Sequence, residues 1–412
     1  MEIRPILSAL LRNKTGPVLV AIQVALSLAI LANALYIVNV RQAVAARSSG
    51  VVNEADVFQL SVRNMDVSEH NEQLSVQKRQ SAVLRGVPGV TSVARISMIP
   101  MSRNGSTTGI STSRKTGSPT EESGYYTTPD SIVTTWGLKL VEGRDFLPGE
   151  IPEINSTEST DRSPAAIVTR ALAEKLFPGQ SSFVGKEIFY GTGDDAKGAR
   201  IVGVLERLQT QRAELGPTAE YAIISPGRFT GPVASSLFTI RAEPGQRDRI
   251  MKETEAAIRN ASTGPVFTRL RTLDEMRVER YRADNALSWM LVTVSILLLL
   301  ITASGIVGMA SLWVQQRRKQ IGVRRALGAR RVDILRYFLT ENVMITSCGV
   351  AAGLLLALGL NQLLVAKLEM ARLPVEYMLG GAAVFFLLGI VAVYGPAWRA
   401  ASISPAMATR SA

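Results

Sequence analysis

Four long stretches without a charged side chain constrain this chain more than any other feature of its sequence. They cover residues 17–40, 286–314, 342–366 and 377–398. Each is long enough to cross the apolar layer of a bilayer, roughly 30 Å thick, as a helix. We therefore predict four transmembrane helices, the last two joined by a short polar loop at 367–376.

The net charge of +12 is concentrated beside these stretches. Lys and Arg cluster in residues 1–16, in the loop 315–341 and in the tail 399–412, whereas residues 41–285 are close to neutral. Because basic residues near span ends stay cytoplasmic, we assign residues 1–16, 315–341 and 399–412 to the cytoplasm. We predict that residues 1–16 form an amphipathic segment. Residues 41–285 then form an extracytoplasmic domain. This distribution also argues against nucleic-acid binding.

The first stretch has one alternative interpretation. Basic residues precede it, and Ala32-Asn33-Ala34 resembles the small-residue cleavage site of a signal peptide. The apolar run is longer than the roughly 7 to 15 residues usual for such a peptide, so we favour a transmembrane helix. Either interpretation leaves the other three spans in the same orientation.

The segment between the first two spans carries patterns that recur at both of its ends. Alternating apolar residues from Val57 precede a helix-like stretch over 69–85 and a strand over 90–99. Near the other end, the strands 236–242 and VFTRLRT flank a helix-like stretch over 246–260. This internal repeat predicts one α/β layer built from both ends of the segment.

We accordingly predict two lobes. Residues 53–101 plus 233–275 form a membrane-proximal α/β lobe, and residues 102–232 form an inserted, more β-rich lobe. Within the insert, GTGDDAKG at 191–198 has the composition of a hairpin turn. The predicted fold class is an α+β membrane protein: four transmembrane helices with a large two-lobed α/β extracytoplasmic domain between helices 1 and 2.

Little in the sequence could carry catalysis. Gly179 to Glu187 resembles a phosphate-binding loop, but five residues separate its glycines and Glu187 replaces the required Ser or Thr. The single cysteine, Cys348, lies in the third span, so the extracytoplasmic domain can form no disulfide of its own. No zinc-ligand spacing occurs. We predict a non-catalytic subunit with no metal and no cofactor on this chain.

The four spans hold no Asp, Glu, Lys, Arg or His, which disfavours an ion-coupled carrier. They do hold small residues at helical spacing, which let helices approach closely. These are Ser304 and Gly308 in the second span and Gly349, Gly353 and Ala357 in the third. Packing within one bundle and packing against a second subunit are both open interpretations.

The loop 315–341 is the most informative segment. Its first part is helix-compatible and strongly cationic, and Gly328 is a natural break. An apolar stripe follows, formed by Val332, Ile334, Leu335, Phe338 and Leu339. We predict that this second part lies along the membrane before it enters the third span. A topology anchor that attracts anionic lipid would explain the arginines but not the break.

Motifs along nearly the whole chain resemble those of one family. In the loop they are Ile321-Gly322-Val323-Arg324-Arg325-Ala326-Leu327-Gly328-Ala329 and Asp333-Ile334-Leu335. In the extracytoplasmic segment they are Tyr125-Tyr126, Trp136-Gly137-Leu138, Glu142-Gly143-Arg144-Asp145-Phe146, Leu176-Phe177-Pro178-Gly179, Val184-Gly185-Lys186 and Ile201-Val202-Gly203-Val204. The last is Pro396-Ala397-Trp398-Arg399-Ala400-Ala401. In this order they resemble the ABC-transporter permeases of the MacB and FtsX type, with a MacB-like periplasmic core domain and an FtsX-like permease domain.

The resemblance implies a place in the bacterial cytoplasmic (inner) membrane, with both termini cytoplasmic and the large domain periplasmic. The implied partners are a cytoplasmic ABC ATPase dimer, a second permease chain (identical or different), membrane lipid, and a periplasmic adaptor with an outer-membrane channel. ATP and Mg would be bound by the ATPase. We expect that ATPase on a separate chain, because this sequence begins almost at its first span.

The resemblance also implies the residues that contact the ATPase. They are Arg317, Arg318, Lys319, Gln320, Ile321, Gly322, Arg324, Arg325, Leu327, Gly328, Ala329, Arg330 and Arg331. Gln316 and Gln320 stand where the family commonly has acidic residues, so we expect these contacts to differ in detail from the family's.

The favoured function is therefore that of a permease subunit. ATP hydrolysis on the partner would move the loop, and the helices would transmit that movement to the extracytoplasmic domain to drive export or efflux, a mechanism called mechanotransmission. The alternative is an FtsX-like regulator that activates an extracytoplasmic partner without transport. A sensor without an ATPase is a third interpretation.

Overall fold

The computed structural model describes residues 14–214, 216–368 and 372–402, apart from the side chains of 367 and 368. The described residues divide into two compact units. One comprises the described part of 44–283 and is called the sheet domain below; the other comprises the described residues on either side of it and is called the helix unit. Most of the predicted N-terminal segment and of the predicted tail lies outside the described residues.

The sheet domain contains both helices and strands, whereas the helix unit is built from helices. The helices are α1 (Thr15–Ala45), α2 (His70–Arg85), α3 (Ile132–Trp136), α4 (Arg170–Leu176), α5 (Arg247–Ala261), α6 (Leu273–Gln316), α7 (Arg318–Ala326), α8 (Arg331–Leu368) and α9 (Val375–Ala401). The strands are β1 (Val57–Asn64), β2 (Val90–Ile96), β3 (Ser106–Ser111), β4 (Glu121–Thr128), β5 (Leu140–Gly143), β6 (Glu153–Asn155), β7 (Ala165–Thr169), β8 (Glu187–Tyr190), β9 (Lys197–Leu205), β10 (Ala222–Pro226), β11 (Arg228–Thr230), β12 (Ser235–Ala242) and β13 (Val266–Thr272).

Four of these helices, α1, α6, α8 and α9, are long and apolar enough to cross a membrane. Together with the strands between α1 and α6, they confirm the predicted fold class. Each helix extends past its predicted span, because an uncharged run marks only the part that suits the apolar layer, while backbone hydrogen bonding continues into the polar flanks. The largest difference is in α6, which begins at Leu273 and not near residue 286.

The prediction that the apolar stripe after Gly328 lies along the membrane is wrong. α8 runs as one helix from Arg331 to Leu368, and the stripe is its first part. Ile334 and Phe338 are buried in the core of the helix unit together with Ile321 of α7. An apolar stripe in a sequence shows that a helix face needs an apolar partner, but it does not distinguish a lipid surface from another helix.

α1 is the central helix of the helix unit. Of its most apolar window 56% is buried, compared with 17% for α6. Polar side chains also join α1 to its neighbours: Ser27 Oγ lies 3.0 Å from Thr302 Oγ1, and Asn33 Nδ2 donates to the carbonyl of Ala357 at 3.2 Å. Such interhelical bonds stabilise membrane helix packing by roughly 0.6 to 2 kcal/mol each.

The two ends of the sheet domain meet in a four-stranded antiparallel sheet with the order β13-β1-β12-β2. Phe58 of β1 lies opposite Ile240 of β12, and Leu60 lies opposite Phe238. Because alternate residues of a strand share one face, these apolar side chains form a single surface. α2 and α5 cover it and complete a hydrophobic core.

The middle of the sheet domain forms a second sheet of seven strands, in the order β5-β9-β7-β10-β4-β3-β8, in which the last strand, β8, also pairs with β9. It is mixed: β7 runs parallel to β9 and β10 runs parallel to β4, while the other pairs are antiparallel. β8 and β9 form the hairpin predicted from GTGDDAKG, with Tyr190 opposite Lys197. β6 and β11 form a separate two-stranded parallel ribbon.

One hydrophobic cluster joins the two sheets. It includes Val57 and Ala94 from the four-stranded sheet and Tyr126 from the seven-stranded sheet. Trp136 of α3 is fully buried in the same cluster and donates from Nε1 to Thr239 Oγ1 at 2.7 Å. The two sheets therefore share a core.

The loop that resembles a phosphate-binding motif holds a carboxylate of the chain itself. Glu142 accepts hydrogen bonds from the amides of Phe183 and Val184, each at 3.0 Å, and from the hydroxyl of Ser182. Successive amides arranged in this way form an anion-binding nest. Burial alone would raise the pKa of Glu142, but these bonds and the charge of Lys186 outweigh it, so the pKa lies below its usual value.

β13 passes into α6 without a linker, since the strand ends at Thr272 and the helix begins at Leu273. Leu273 and Met276 are buried in the core that joins the two sheets. The first turns of α6 thus belong to the sheet domain, and the same helix continues without interruption to Gln316.

Candidate functional site

A tight turn between α7 and α8 sets the shape of the cationic loop. Gly328 has a φ of +98°, which only glycine adopts without strain. The amides of Gly328 and Ala329 donate to the carbonyls of Arg325 and Arg324, at 3.2 and 3.0 Å, and so satisfy the end of α7. Leu327 is left at the tip of the turn between the two helices.

An ion pair with a buried carboxylate holds the junction of α6 and α7 to the third turn of α8. Arg317, which separates α6 from α7, donates from Nη1 to both carboxylate oxygens of Glu341, at 3.0 and 2.8 Å. It also donates to the hydroxyl of Tyr337 at 3.2 Å. Glu341 is only 1% exposed, so removing Arg317 would leave an unpaired buried charge, at a cost of about 3 to 5 kcal/mol.

The outer face of α7 presents two apolar side chains among cations. Leu327 is 83% exposed, and Val323, one turn earlier on the helix, is 53% exposed. The exposed cations on this segment are Arg318, Lys319, Arg324, Arg330 and Arg331. The result is a small apolar projection with a basic rim, which is called the loop tip below.

The residues predicted to contact an ATPase fall into two groups in the structure. Ile321 and Gly322 are buried and Arg317, Arg325 and Ala329 are half-buried, so these face the helix unit. The exposed group consists of Arg318, Lys319, Gln320, Arg324, Leu327, Gly328, Arg330 and Arg331. The first group holds the loop in shape, and the second is available to a partner.

Sequence reasoning missed three residues of this site: Val323, Tyr337 and Glu341. Val323 is an apolar residue in a strongly basic helix, which was a usable signal. Glu341 is an acidic residue immediately before the uncharged stretch, and its place there also pointed to a partner inside the protein. Nothing in the sequence indicated that Arg317 would be that partner.

The small residues of the second and third spans differ in their surroundings. A Cβ added at Gly349 would lie 2.8 Å from the carbonyl oxygen of Ala21, and one at Gly353 would lie 3.0 Å from Ala25 Cα. Ala357 is fully buried. The third-span residues thus face α1 closely. Ser304 and Gly308 of α6 are exposed, and a Cβ at Gly308 would have no neighbour within 4 Å.

Two family descriptions match most of the chain. The MacB-like periplasmic core domain matches residues 22–260, and the FtsX-like permease C-terminal domain matches residues 292–405. The chain belongs to the MacB/FtsX family of ABC-transporter permeases. The first matched range includes most of the sheet domain, and the second includes the loop tip. Together with the family, the four long helices make this MacB/FtsX permease a multi-pass membrane protein.

Relatives of this MacB/FtsX permease are named as export proteins. The pyoverdine export ATP-binding/permease protein PvdT of Pseudomonas syringae pv. syringae (strain B728a) is 28% identical over 279 residues, which are 66% of this chain and 40% of the relative. The macrolide export ATP-binding/permease protein MacB of Rhodospirillum rubrum is 31% identical over 270 residues, 62% of this chain and 39% of the relative. The chain thus spans about two fifths of the length of these relatives.

The extracellular domain of the noncanonic ABC-type transporter YknZ from Gram-positive bacteria is a solved structure with similarity to the chain. It is 15% identical, has a TM-score of 0.33, and covers 52% of this chain and 100% of its own length.

Proposed function

We propose that this permease couples ATP hydrolysis by an ABC ATPase to movements of the sheet domain that drive export. The observation that carries the proposal is the loop tip, where Leu327 projects from a glycine turn and is 83% exposed. An apolar group held out among charges gains most from a pocket on a partner protein. The names of the relatives, which include "ATP-binding" and "export", support both halves of the proposal.

Two features suit the loop tip to receive a push. Its inner side is anchored, because Ile321 packs in the core of the helix unit and Arg317 binds buried Glu341. Its outer side carries the exposed cations. These would orient an acidic surface of the partner and repel proteins with a basic surface. A force applied at Leu327 would therefore reach α6 and α8 and would not be absorbed by a flexible loop.

The route proposed for that force is helical. α6 is one helix from Leu273 to Gln316, and its first turns lie in the core of the sheet domain. An uninterrupted helix can transmit a displacement along its axis, since each residue is held to the next turn by a backbone hydrogen bond. The proposal therefore needs no charged pathway through the spans.

The setting that we propose follows from the same function. The loop tip and both termini would be cytoplasmic in the bacterial inner membrane, and the sheet domain would be periplasmic. The partners would be a dimer of the ATPase, which would bind ATP and Mg, and a second permease chain. This chain would itself catalyse no reaction. A periplasmic adaptor would connect the sheet domain to an outer-membrane channel.

Affinity purification of the full chain from membranes, followed by mass spectrometry, tests the proposal. Leu327→Asp should reduce the amount of copurified ATPase at least about tenfold, because a buried contact worth roughly 1.4 kcal/mol or more would be lost. Leu327→Met is the matched control, since it keeps an apolar side chain of similar volume, and should retain the ATPase.

Three results would count against the proposal. The first is the absence of any ABC ATPase from the wild-type preparation. The second is equal recovery of the ATPase with Leu327→Asp and Leu327→Met. The third is recovery of an extracytoplasmic enzyme that the chain activates in an ATP-dependent way while no export is detected.

A further inference from the structure

Arg277, in the second turn of α6, bonds to the last residue of α1 and to the segment that follows it. Its Nη2 donates to Glu54 Oε1 at 2.6 Å, and its Nε donates to Glu54 Oε2 at 3.3 Å. Its Nη1 donates to the carbonyls of Ala45 and Arg47, at 3.0 and 2.9 Å. One guanidinium thus joins a carboxylate and two carbonyls that belong to a different part of the chain.

The acceptors explain why an arginine stands at this position. Ala45 is the last residue of α1, and the last carbonyls of a helix have no partner within the helix. A cation there also interacts favourably with the helix dipole. Arginine alone combines a fork that fits a carboxylate with further N–H groups for carbonyls, so lysine would satisfy only part of this set.

Glu54, the partner of Arg277, is itself fixed from a second side. It accepts a hydrogen bond from Ser49 Oγ at 2.5 Å, and Ser49 is fully buried. The carbonyl of Ser49 accepts the amide of Gln209, also fully buried, at 2.9 Å. The segment after α1 is therefore tied to the seven-stranded half of the sheet domain as well as to α6.

The start of α6 is held independently of Arg277. Leu273 and Met276 are buried in the core that joins the two sheets. Arg280 donates to the carbonyls of Arg212 and Ala213, at 2.5 and 2.8 Å. Loss of Arg277 would thus leave α6 in place and remove the polar bonds between α6 and the segment 45–54, while Val44 at the end of α1 would stay in one apolar cluster with Tyr281.

We propose that Arg277 and Glu54 form a clamp that makes the end of α1 and the start of α6 move as one piece. α1 and α6 are the two long helices that connect to the sheet domain, one at each end of it. The clamp rests on the proposed coupling function. If the end of α1 and the start of α6 could move relative to each other, a movement that reached the sheet domain through α6 alone would shift α6 against α1 and would not move the whole domain. Arg277 and Glu54 are positioning residues in this scheme.

The first part of the test uses the full chain alone, in lipid nanodiscs, with the single cysteine removed by Cys348→Ser. Spin labels at Ala46→Cys and Val278→Cys, both exposed positions, report the distance across the clamp. Arg277→Gln should broaden this distance distribution, and Arg277→Lys should give an intermediate width. Arg282→Gln, which removes the same charge from an exposed position on the same helix, should leave the distribution unchanged.

Hydrogen exchange gives a second measurement on the same variants without the labels. The amides of Val51 and Val52 bond to Ser49 Oγ and to the carbonyl of Trp136, so both should be protected in the wild type. Arg277→Gln should speed their exchange about tenfold or more, since it removes charge-assisted hydrogen bonds. Exchange and label distances that match those of Arg282→Gln would overturn the clamp.

The second part adds the ATPase and distinguishes a clamp from a merely structural arginine. In the wild type the distance between the labels should be the same without nucleotide and with a non-hydrolysable ATP analogue. In Arg277→Gln it should differ between the two states. A distance that changes with nucleotide in the wild type, or in neither protein, would contradict the clamp.

Failure of the clamp and failure of the proposed function give different results. If no ATPase associates with the chain, the proposed function fails, while the measurements on the chain alone still show whether the two connections are locked. If the ATPase associates and the label distance behaves alike in Arg277→Gln and the wild type, the clamp fails and the proposed function stands.

Discussion

Glu142 shows how one side chain can occupy a site that its loop would otherwise offer to a ligand. The amides of Phe183 and Val184 converge on its carboxylate, and the hydroxyl of Ser182 completes the set. A phosphate-like anion would have to displace this carboxylate to bind. The likeness of the loop to a phosphate-binding motif is thus a likeness of backbone geometry without the function.

The lowered pKa of Glu142 predicts a pH-dependent stability. Its ionised form contributes stability above the ordinary carboxyl pKa of about 4.3, and this contribution is lost as the pH falls through the lowered value. Glu142→Gln should therefore lower the thermal unfolding temperature at pH 7 and have a much smaller effect at an acidic pH below the lowered pKa. Glu158→Gln, at an exposed position, is the control. An effect of Glu142→Gln that is equal at both pH values would contradict the prediction.

At the scale of single residues, the sequence identified the loop tip but not what holds it. Leu327 and Gly328 stand next to each other in a recognisable motif, so local pattern was sufficient. Arg317 meets Glu341 only after α7 has folded back on α8, and a contact between distant parts of a chain is not visible in local pattern. The same holds for Glu142 and Val184.

At the scale of helices, α6 and α8 use similar small residues in opposite ways. Gly349 and Gly353 of α8 bring its backbone against α1. A Cβ added at Gly308 of α6, by contrast, would have no neighbour within 4 Å among the described residues. Spacing alone could not separate these cases, because a small residue permits close packing without showing which helix takes advantage of it.

Alanine substitutions should therefore have effects of opposite sign on these two helices. At Gly349 the new Cβ would lie 2.8 Å from Ala21 O and 2.9 Å from Val24 Cβ, so Gly349→Ala should destabilise the chain by roughly 1 to 3 kcal/mol. Gly308→Ala meets no neighbour and should stabilise the helix by about 0.5 to 1 kcal/mol. Thermal unfolding of the purified chain in detergent measures both. Equal effects of the two substitutions would show that α1 does not pack on α8 in this way.

At the scale of the whole chain, the architecture was largely predictable because hydropathy and charge gave the same four spans independently. The four-stranded sheet was accessible from sequence as well, since its strands lie in two similar units. The seven-stranded order was not, because β10 and β4 pair across nearly a hundred residues and their alternation does not specify neighbours.

The proposed orientation predicts which parts of the chain are accessible in intact cells. In a Cys348→Ser background, a cysteine at Thr116 in the sheet domain should react with a membrane-impermeant maleimide added to spheroplasts. A cysteine at Lys319 in the loop tip should react only after the membrane is permeabilised. Both positions are exposed, so burial would not explain a difference between them. Labelling of Lys319→Cys in intact spheroplasts would reverse the orientation.

The core that joins the two sheets limits how this domain can change over evolutionary time. Trp136 is fully buried between side chains of both sheets and hydrogen-bonds to Thr239. The seven-stranded part, although inserted within the chain of the four-stranded part, is therefore no detachable module. A recombination event that exchanged it alone would bring in one half of a fitted interface and should destabilise the whole domain.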